Sequence, residues 1–286
     1  MQKLIDASII QALKEDIEDS TGIIPIGDHS SLAAISLPKE GSAKLLVKAD
    51  GVLAGVEVAK AVCRLVDEDM RFESILEDGA LIKNGDVAFK IYGDVKSILR
   101  AERVLLNYMQ RMSGIATHTK LFVNALSGTH TKILDTRKTT PGFRLFEKWA
   151  VRIGGGFNHR IGLYDMIMLK DNHIDFCGGI SKAIESVKKY QQENGLQLKV
   201  EIEARSLNDV HEIVAIGGVH RIMFDNFSPK NAAEAVKIVG NKFETEISGG
   251  VTLQNIDLFK NAGVDFISVG ALTHSSSSLD LSLKAF

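Results

Sequence analysis

Cysteine is almost missing from this chain: of 286 residues, only Cys63 and Cys177 carry a thiol. They show no metal-ligand spacing and suggest no disulfide framework of the secreted kind. Long hydrophobic runs are missing too. The apolar stretches are short and carry charges, which excludes a membrane-spanning helix. The opening MQKLIDASIIQALKED is amphipathic and acidic with no unbroken apolar run, so no secretory signal is expected and both thiols are expected reduced, in the cytoplasm. Excess charge of one sign is also lacking. Lys+Arg 34 against Asp+Glu 36 leaves a formal net charge of −2, and with no basic tail a general nucleic-acid binder is not expected. What remains is an ordinary soluble composition, 45% hydrophobic and 24% charged, in a chain long enough for one large domain or two modest ones.

Against that neutral background one stretch stands out. From Arg137 to Lys170 seven Lys/Arg (Arg137, Lys138, Arg144, Lys148, Arg152, Arg160, Lys170) face only Glu147 and Asp165, a local excess of +5. Such a stretch calls for an anion.

The two halves of the chain read differently. Residues 1–94 mix a helix near 3–15 with β-like runs such as SAKLLVKADGVLAG and DVAFKIYGD, separated by Gly and Asp turn signals. Between them, Val56, Ala59, Val62, Cys63 and Val66 follow helical spacing. Residues 95–126 predict one or two long helices, broken near Ser113-Gly114, where a domain boundary is expected. Beyond residue 130, apolar strands starting near 132, 165, 198, 221, 245 and 265 alternate with polar and helical segments. Continuous apolar strands alternating with helices imply a parallel sheet covered on both faces. Six units instead of eight predict an incomplete α/β barrel.

The strand ends carry the chemistry. They are Arg137-Lys138, Lys170 to His173, Glu203, Asp225-Asn226, Ser248-Gly249-Gly250 and Gly270-Ala271. In parallel barrels the loops at the carboxyl ends of the strands converge on one site, so these residues are expected to share a cavity. Glycine at the last two ends suits a phosphate, because the backbone approaches the oxygens with no Cβ in the way; tight turns alone are the bland alternative. Arg137, Lys138, Arg160 and Lys170, with His159, suit a multiply charged anion. Arg144, Lys148 and Arg152 are expected on a solvated face of a helix bracketed by Pro141 and Gly154-Gly155-Gly156. That triplet lacks the G-x-G-x-x-G form of a dinucleotide site. Glu203 and Asp225 suit Mg²⁺ or sugar hydroxyls, with charge balance for the lysines as the alternative. Together these features point to a phosphorylated sugar reacting with an anionic partner.

The segment LDTRKTTPGFRLFEKWAVRIGGGFNHRIGLYDMIMLKDNHI closely resembles the signature of the quinolinate phosphoribosyltransferase family, also called nicotinate-nucleotide pyrophosphorylases. The likeness extends to AERVLLNYMQRMSGIAT, VEIEARSL, IMFDN, EISGGVTLQNI and GVDFISVGALTHS, and so to nearly the whole chain. Two departures are an insertion within EDIEDSTGIIPIGDHSS, near residues 16–27, and Phe224 where the family usually has Leu. The resemblance implies an N-terminal α+β open-faced sandwich over residues 1–114, with the tail 276–286 packing on it, and a catalytic barrel over 115–275. It implies that quinolinate and phosphoribosyl pyrophosphate give nicotinate mononucleotide, pyrophosphate and CO₂ with Mg²⁺, in de novo NAD biosynthesis. Arg137, Lys138, Thr139, His159, Arg160 and Lys170 would then bind quinolinate, and Lys138 and Lys170 would also face the pyrophosphate. Glu203 and Asp225 would hold the ribose hydroxyls or the metal, directly or through water. Ser248 to Gly250 and Val269 to Ala271 would cradle the 5′-phosphate. Lys138, Lys170, Glu203 and Asp225 would be the catalytic set. Arg103 would serve the neighbouring subunit's site in a homodimer, which in some relatives assembles into hexamers.

Three rivals frame this reading. The molybdenum-transport-associated branch of the family shares the Arg-Lys-Thr core but lacks the LKDNH pattern present here. A Schiff-base role for Lys170 in an aldolase-type barrel would leave two carboxylate-ready arginines without purpose. An anion-binding protein on the same scaffold would hold the phosphosugar without turnover.

Overall fold

The computed structural model describes residues 2–286. In chain order the elements are α1 (Gln2–Ile17), α2 (His29–Ala34), β1 (Glu40–Val47), β2 (Gly51–Val52), α3 (Val56–Val66), β3 (Arg71–Ser74), β4 (Leu81–Ile82), β5 (Val87–Asp94) and α4 (Val95–Ala125). There follow β6 (Lys132–Leu134), α5 (Arg144–Ile153), β7 (Ile167–Leu169), α6 (Asp171–Cys177), α7 (Ile180–Asn194), β8 (Val200–Ala204), α8 (Leu207–Ile216), β9 (Arg221–Asp225), α9 (Pro229–Val239) and β10 (Glu244–Ser248). The chain closes with β11 (Phe266–Ser268), α10 (Ala271–His274) and β12 (Leu281–Ala285). No helix of the described residues is long and apolar enough to cross a membrane. The chain divides into two compact units. One comprises residues up to His118 with Leu145–Gly154 and Ser276–Phe286; the other comprises Thr119–Arg144 and Gly155–Ser275. The segment 145–154, expected with the barrel, thus falls in the first unit.

In the first unit an antiparallel sheet runs β12-β1-β5-β3. Alternation in β1 turns Ala43, Leu45 and Val47 to the buried face. The C-terminal strand pairs with β1 from Ala43↔Ala285 to Val47↔Leu281. In α3 the apolar stripe buries Val56, Val58, Ala59, Ala61, Val62 and Cys63. Its start has Gly55 in the left-handed region (φ 97°), and the Asp78 carboxylate accepts the Val56 N–H at 2.8 Å in place of a cap side chain. In the inserted segment, the Asp19 carboxylate gathers the N–H groups of Thr21, Ile23 and Ile24 at 2.9–3.1 Å and leaves Ile23, Ile24 and Ile26 exposed.

The expected break at Ser113-Gly114 is absent: α4 is one continuous helix of 31 residues. The pair serves packing instead. Ser113 Oγ accepts the Ala54 N–H at 2.9 Å and donates to the Ala54 carbonyl at 3.1 Å. Gly114 lies so close under the Ser277 carbonyl that a Cβ there would collide with it. The solvated-face reading of α5 is also corrected. Lys148 is 2% exposed, and Glu147 is buried and paired with Arg111 at 2.7 Å. Arg144 donates to the Thr139 hydroxyl and the Ile161 carbonyl, each at 3.0 Å. Only Arg152 of the three stays exposed. A surplus of cations in sequence says nothing about which of them the fold buries.

The second unit is the incomplete barrel. Its described strands run β6-β11-β10-β9-β8-β7, all parallel, with β6 and β7 at the two ends of the order. Every residue of β8 is buried, as a strand covered on both faces requires. Ser206 and Ser228 cap α8 and α9 by accepting N–H groups three residues on, and Pro229 opens α9 where its missing donor is not needed.

Gly114→Ala separates two effects of opposite sign. The added methyl would favour the helix by about 1 kcal/mol. Forcing it against a backbone carbonyl costs about 1–3 kcal/mol. The collision should win, and the variant should melt below the wild type; an equal or higher melting temperature would show that the 277 segment yields freely.

Candidate active site

The strand ends of the second unit converge. Lys170, just past β7, forms an ion pair with Glu203 of β8, whose other oxygen accepts the Asp171 N–H at 3.1 Å. Strand alternation puts Glu203 on the inward face, and parallel register sets it beside Met223 of β9, two residues before Asp225. The Asp225 carboxyl is pushed up in pKa by burial and then by the neighbouring Glu203 charge, against the pull of Lys170. Two acids and a lysine therefore share one corner.

The cationic side is built on the chain after β6. Arg160 is buried, and its pKa is lowered by that burial and then by Arg137 close by. The Nε of Arg137 is buried and finds no acceptor among the described residues. Two neighbouring guanidiniums, one with an orphaned donor, form a site that only an acceptor-rich anion completes. Thr139 faces the Arg144 guanidinium.

The glycine ends bring in the remaining strands. A Cβ on Gly270 would meet the Lys138 Cδ at 3.0 Å, so Lys138 lies across the loop after β11; the Thr273 hydroxyl donates to the Lys138 carbonyl at 2.8 Å. Gly249 and Gly250 have φ of 92° and 62°, and a Cβ on Gly249 would collide with the Asn226 side chain. Asn226 is itself left-handed (φ 55°), with its N–H on the Ser248 carbonyl at 2.8 Å. Val269 and Ser268 are buried, and Ser248 is half-buried. Arg103 lies exposed on α4, in the first unit.

His159 sits apart from this rim, buried and turned toward acids in the barrel interior. Its Nε2 is 3.0 Å from Glu201 and 3.5 Å from Glu246, both completely buried. Arg221 reaches Glu246 at 2.8 Å and Glu244 at 3.0 Å, and lies 3.8 Å from Glu201. Burial opposes a charge on the His159 ring, but hydrogen bonds and charge from the two acids raise its pKa. The Arg160 N–H, donated to Nδ1 at 2.7 Å, acts against that second proton and holds the ring proton on Nε2. Glu201 is pushed up to about 7, by burial first and then by Glu246. Three of these groups could each offer a metal one ligand atom within 4.8 Å of the others, but the Arg221 guanidinium already supplies the balancing cation. Sequence reasoning overlooked Glu201, Arg221 and Glu246. Their signal is present in VEIEA, HRIM and TEIS, where charges recur at the same alternate positions of buried strands.

Two neighbouring guanidiniums and a lysine–carboxylate corner at the strand ends of a parallel barrel define the site of an α/β-barrel enzyme. Residues 115–284 match the family model "Quinolinate phosphoribosyl transferase, C-terminal domain", and residues 28–113 match its N-terminal domain. A tobacco "Quinolinate phosphoribosyltransferase [decarboxylating] 1b" is 45% identical over 287 residues, covering 96% of this chain and 80% of the relative. A Bacillus subtilis "Probable nicotinate-nucleotide pyrophosphorylase [carboxylating]" is 44% identical, covering 84% and 82%. The structure of NadC from Streptococcus pyogenes superposes with a TM-score of 0.92 at 40% identity, covering 99% of this chain and 96% of that one. The chain belongs to the quinolinate phosphoribosyl transferase family.

The raised Glu201 carries a sign that can be measured. Its folded pKa lies above the ordinary 4.5, at about 7, so the proton it retains stabilises the fold fully below that ordinary value and is lost as pH rises through 7. Relative to Glu201→Gln, the wild type should lose stability as the pH rises from roughly 5 to 8. Thermal unfolding of both proteins across that range checks it; parallel curves would mean that the acid titrates normally.

Proposed function

We propose that this protein is a quinolinate phosphoribosyltransferase, joining quinolinate to phosphoribosyl pyrophosphate in de novo NAD biosynthesis in the cytoplasm. The observation that carries the reading is the Arg137–Arg160 pair, whose buried Nε lacks an acceptor. A dicarboxylate on a planar ring offers two bidentate partners to two guanidiniums.

Arg137 and Arg160 hold the two carboxylates and so fix the pyridine nitrogen toward the sugar, with Thr139 and Lys138 at the ring's edge. The turns Ser248–Gly250 and Val269–Ala271 take the 5′-phosphate through backbone N–H groups. The nitrogen attacks the anomeric carbon as its bond to the pyrophosphate oxygen breaks, and pyrophosphate leaves with the electron pair. Lys138 and Lys170 balance the charge that develops on the leaving group. Glu203 and Asp225 meet the ribose hydroxyls and are the residues that would hold Mg²⁺. Burial, and after it the charge of Glu203, raise the Asp225 carboxyl, and a divalent cation would relieve the repulsion between the two acids. When bound, Mg²⁺ neutralises pyrophosphate oxygens. Attack leaves the pyridine ring cationic. The bond to the 2-carboxylate then breaks, CO₂ departs, the positive ring stabilises the electron pair left at that carbon, and a proton from water replaces it. No nucleophilic side chain is needed, because positioning two mutually repelling anions is most of the task.

Two copies of the chain associate, and the exposed Arg103 of each serves its neighbour's site. The exposed Ile23, Ile24, Ile26 and Leu37 in the first unit, 56–83% accessible, supply apolar surface for such an association.

Purified protein given quinolinate, phosphoribosyl pyrophosphate and Mg²⁺ should release CO₂ and pyrophosphate in equal amounts, and nicotinate in place of quinolinate should give neither. Arg137→Met should lower kcat/KM for quinolinate by about 100-fold or more, nearly 3 kcal/mol of transition-state binding. Retention of full activity would remove the carrying observation. For Arg103, the check is complementation. Arg103→Ala and Lys138→Ala chains, each nearly inactive, should regain activity when mixed and allowed to exchange subunits. Mixtures as inactive as their parents would place Arg103 outside its neighbour's site.

A further inference from the structure

Beneath the proposed site, the chain entering it is anchored in an unusual way. Phe157 donates its N–H to the Ile133 carbonyl at 2.8 Å, and Asp135 donates its own N–H to the Phe157 carbonyl at 3.1 Å. A parallel bridge joins Leu134 to Phe157. The segment from Phe157 to Arg160 thus lies along the free edge of β6, where a closed barrel would have another strand. The buried Asp135 carboxylate accepts the Asn158 amide at 2.5 Å and the His159 N–H at 2.8 Å. From there the chain turns on Asp165, which accepts the N–H groups of Ile161 and Gly162 at 2.7 and 2.8 Å.

His159 ties this segment to the far side of the barrel. Both ring nitrogens are engaged: Nδ1 accepts the Arg160 N–H at 2.7 Å, and Nε2 faces Glu201 of β8 and Glu246 of β10. Arg221 of β9 holds Glu246 in turn. The ring therefore spans from the barrel's ionic interior to the peptide that carries Arg160. Stability alone does not account for such a network. Desolvating each buried ion costs several kcal/mol, and apolar residues of the same volume often serve a core as well or better. What a buried ionic network of this kind can provide is a fixed orientation for the groups it joins. The requirement is sharpest at Arg160, where a small rotation of the peptide moves a guanidinium at the end of a long side chain.

We infer that Glu201, Glu246 and Arg221 are positioning residues, which orient His159 so that its Nδ1 fixes the 159–160 peptide and aims the Arg160 guanidinium at the substrate dicarboxylate. The inference rests on the function proposed above and adds to it a second layer, one strand-repeat below the site. None of the three touches substrate, so their effect falls on the binding of one substrate and spares the other.

The test is Glu246→Gln, which removes the charge that Arg221 and His159 share while keeping shape and acceptor. The KM for quinolinate should rise about tenfold, and the KM for phosphoribosyl pyrophosphate should stay within about twofold. Glu246→Asp, which restores the charge, should recover part of the loss. Equal rises in both constants, or no rise in either, would overturn the inference. A second measurement is independent of turnover and of whether a variant folds. In ¹⁵N-histidine-labelled wild-type protein, once the pH is high enough for the ring to be neutral, His159 should carry its one proton on Nε2, with Nδ1 as a hydrogen-bonded acceptor. A ring protonated on Nδ1 cannot accept the Arg160 N–H and would sink the proposal even if the enzyme acts on quinolinate as expected. Conversely, the expected tautomer in a protein that does not turn over quinolinate would leave the clamp standing and discard the substrate reading.

Discussion

Glu201 and Glu203 stand two residues apart on β8, and the period of a strand sends both to the inside of the barrel. One acid is sealed in the interior with Glu246, Arg221 and His159. The other opens at the rim toward Lys170 and Asp225. The core's ionic layer and the site's carboxylates are therefore consecutive storeys of one strand. A shift of one residue in its register would turn both acids to the outer face and bring Ile202 inside.

The same logic governs the cations. Burial lowers the pKa of Arg160, and repulsion from the neighbouring Arg137 lowers it further. Only a rigid support keeps two such groups together before an anion arrives. The incomplete barrel supplies it. Because β6 keeps a free edge, the segment from Phe157 to Arg160 can lie along that edge and still turn back into β7. An eight-stranded barrel would fill the edge with another strand and helix.

Much of this could be read from the linear order of residues, for a physical reason. A strand buried on both faces must be apolar along its length, so the six barrel strands announce themselves, and the polar residues that end them are marked by contrast. Lys170, Glu203, Asp225 and Gly249 were legible in that way. Gly114 was not, because glycine signals a helix break and a close approach with the same letter; only the Ser277 carbonyl lying over it decides between them. Lys148 and Arg152 share a helix face by spacing, yet one is buried and the other exposed. Spacing defines a face, and the neighbour against it depends on the rest of the chain.

The sequence alone determined the strand–helix alternation, the incomplete barrel, the family and the local excess of positive charge, because each follows from short-range periodicity or from a contiguous motif. Tertiary structure decided which charges meet. It sent His159 inward to Glu201 and Glu246, left the Arg137 Nε without an acceptor beside Arg160, and laid Lys138 across Gly270. Such pairings join residues up to about 130 positions apart, from Lys138 to Gly270. Their energies depend on distance and burial, which chain order does not encode.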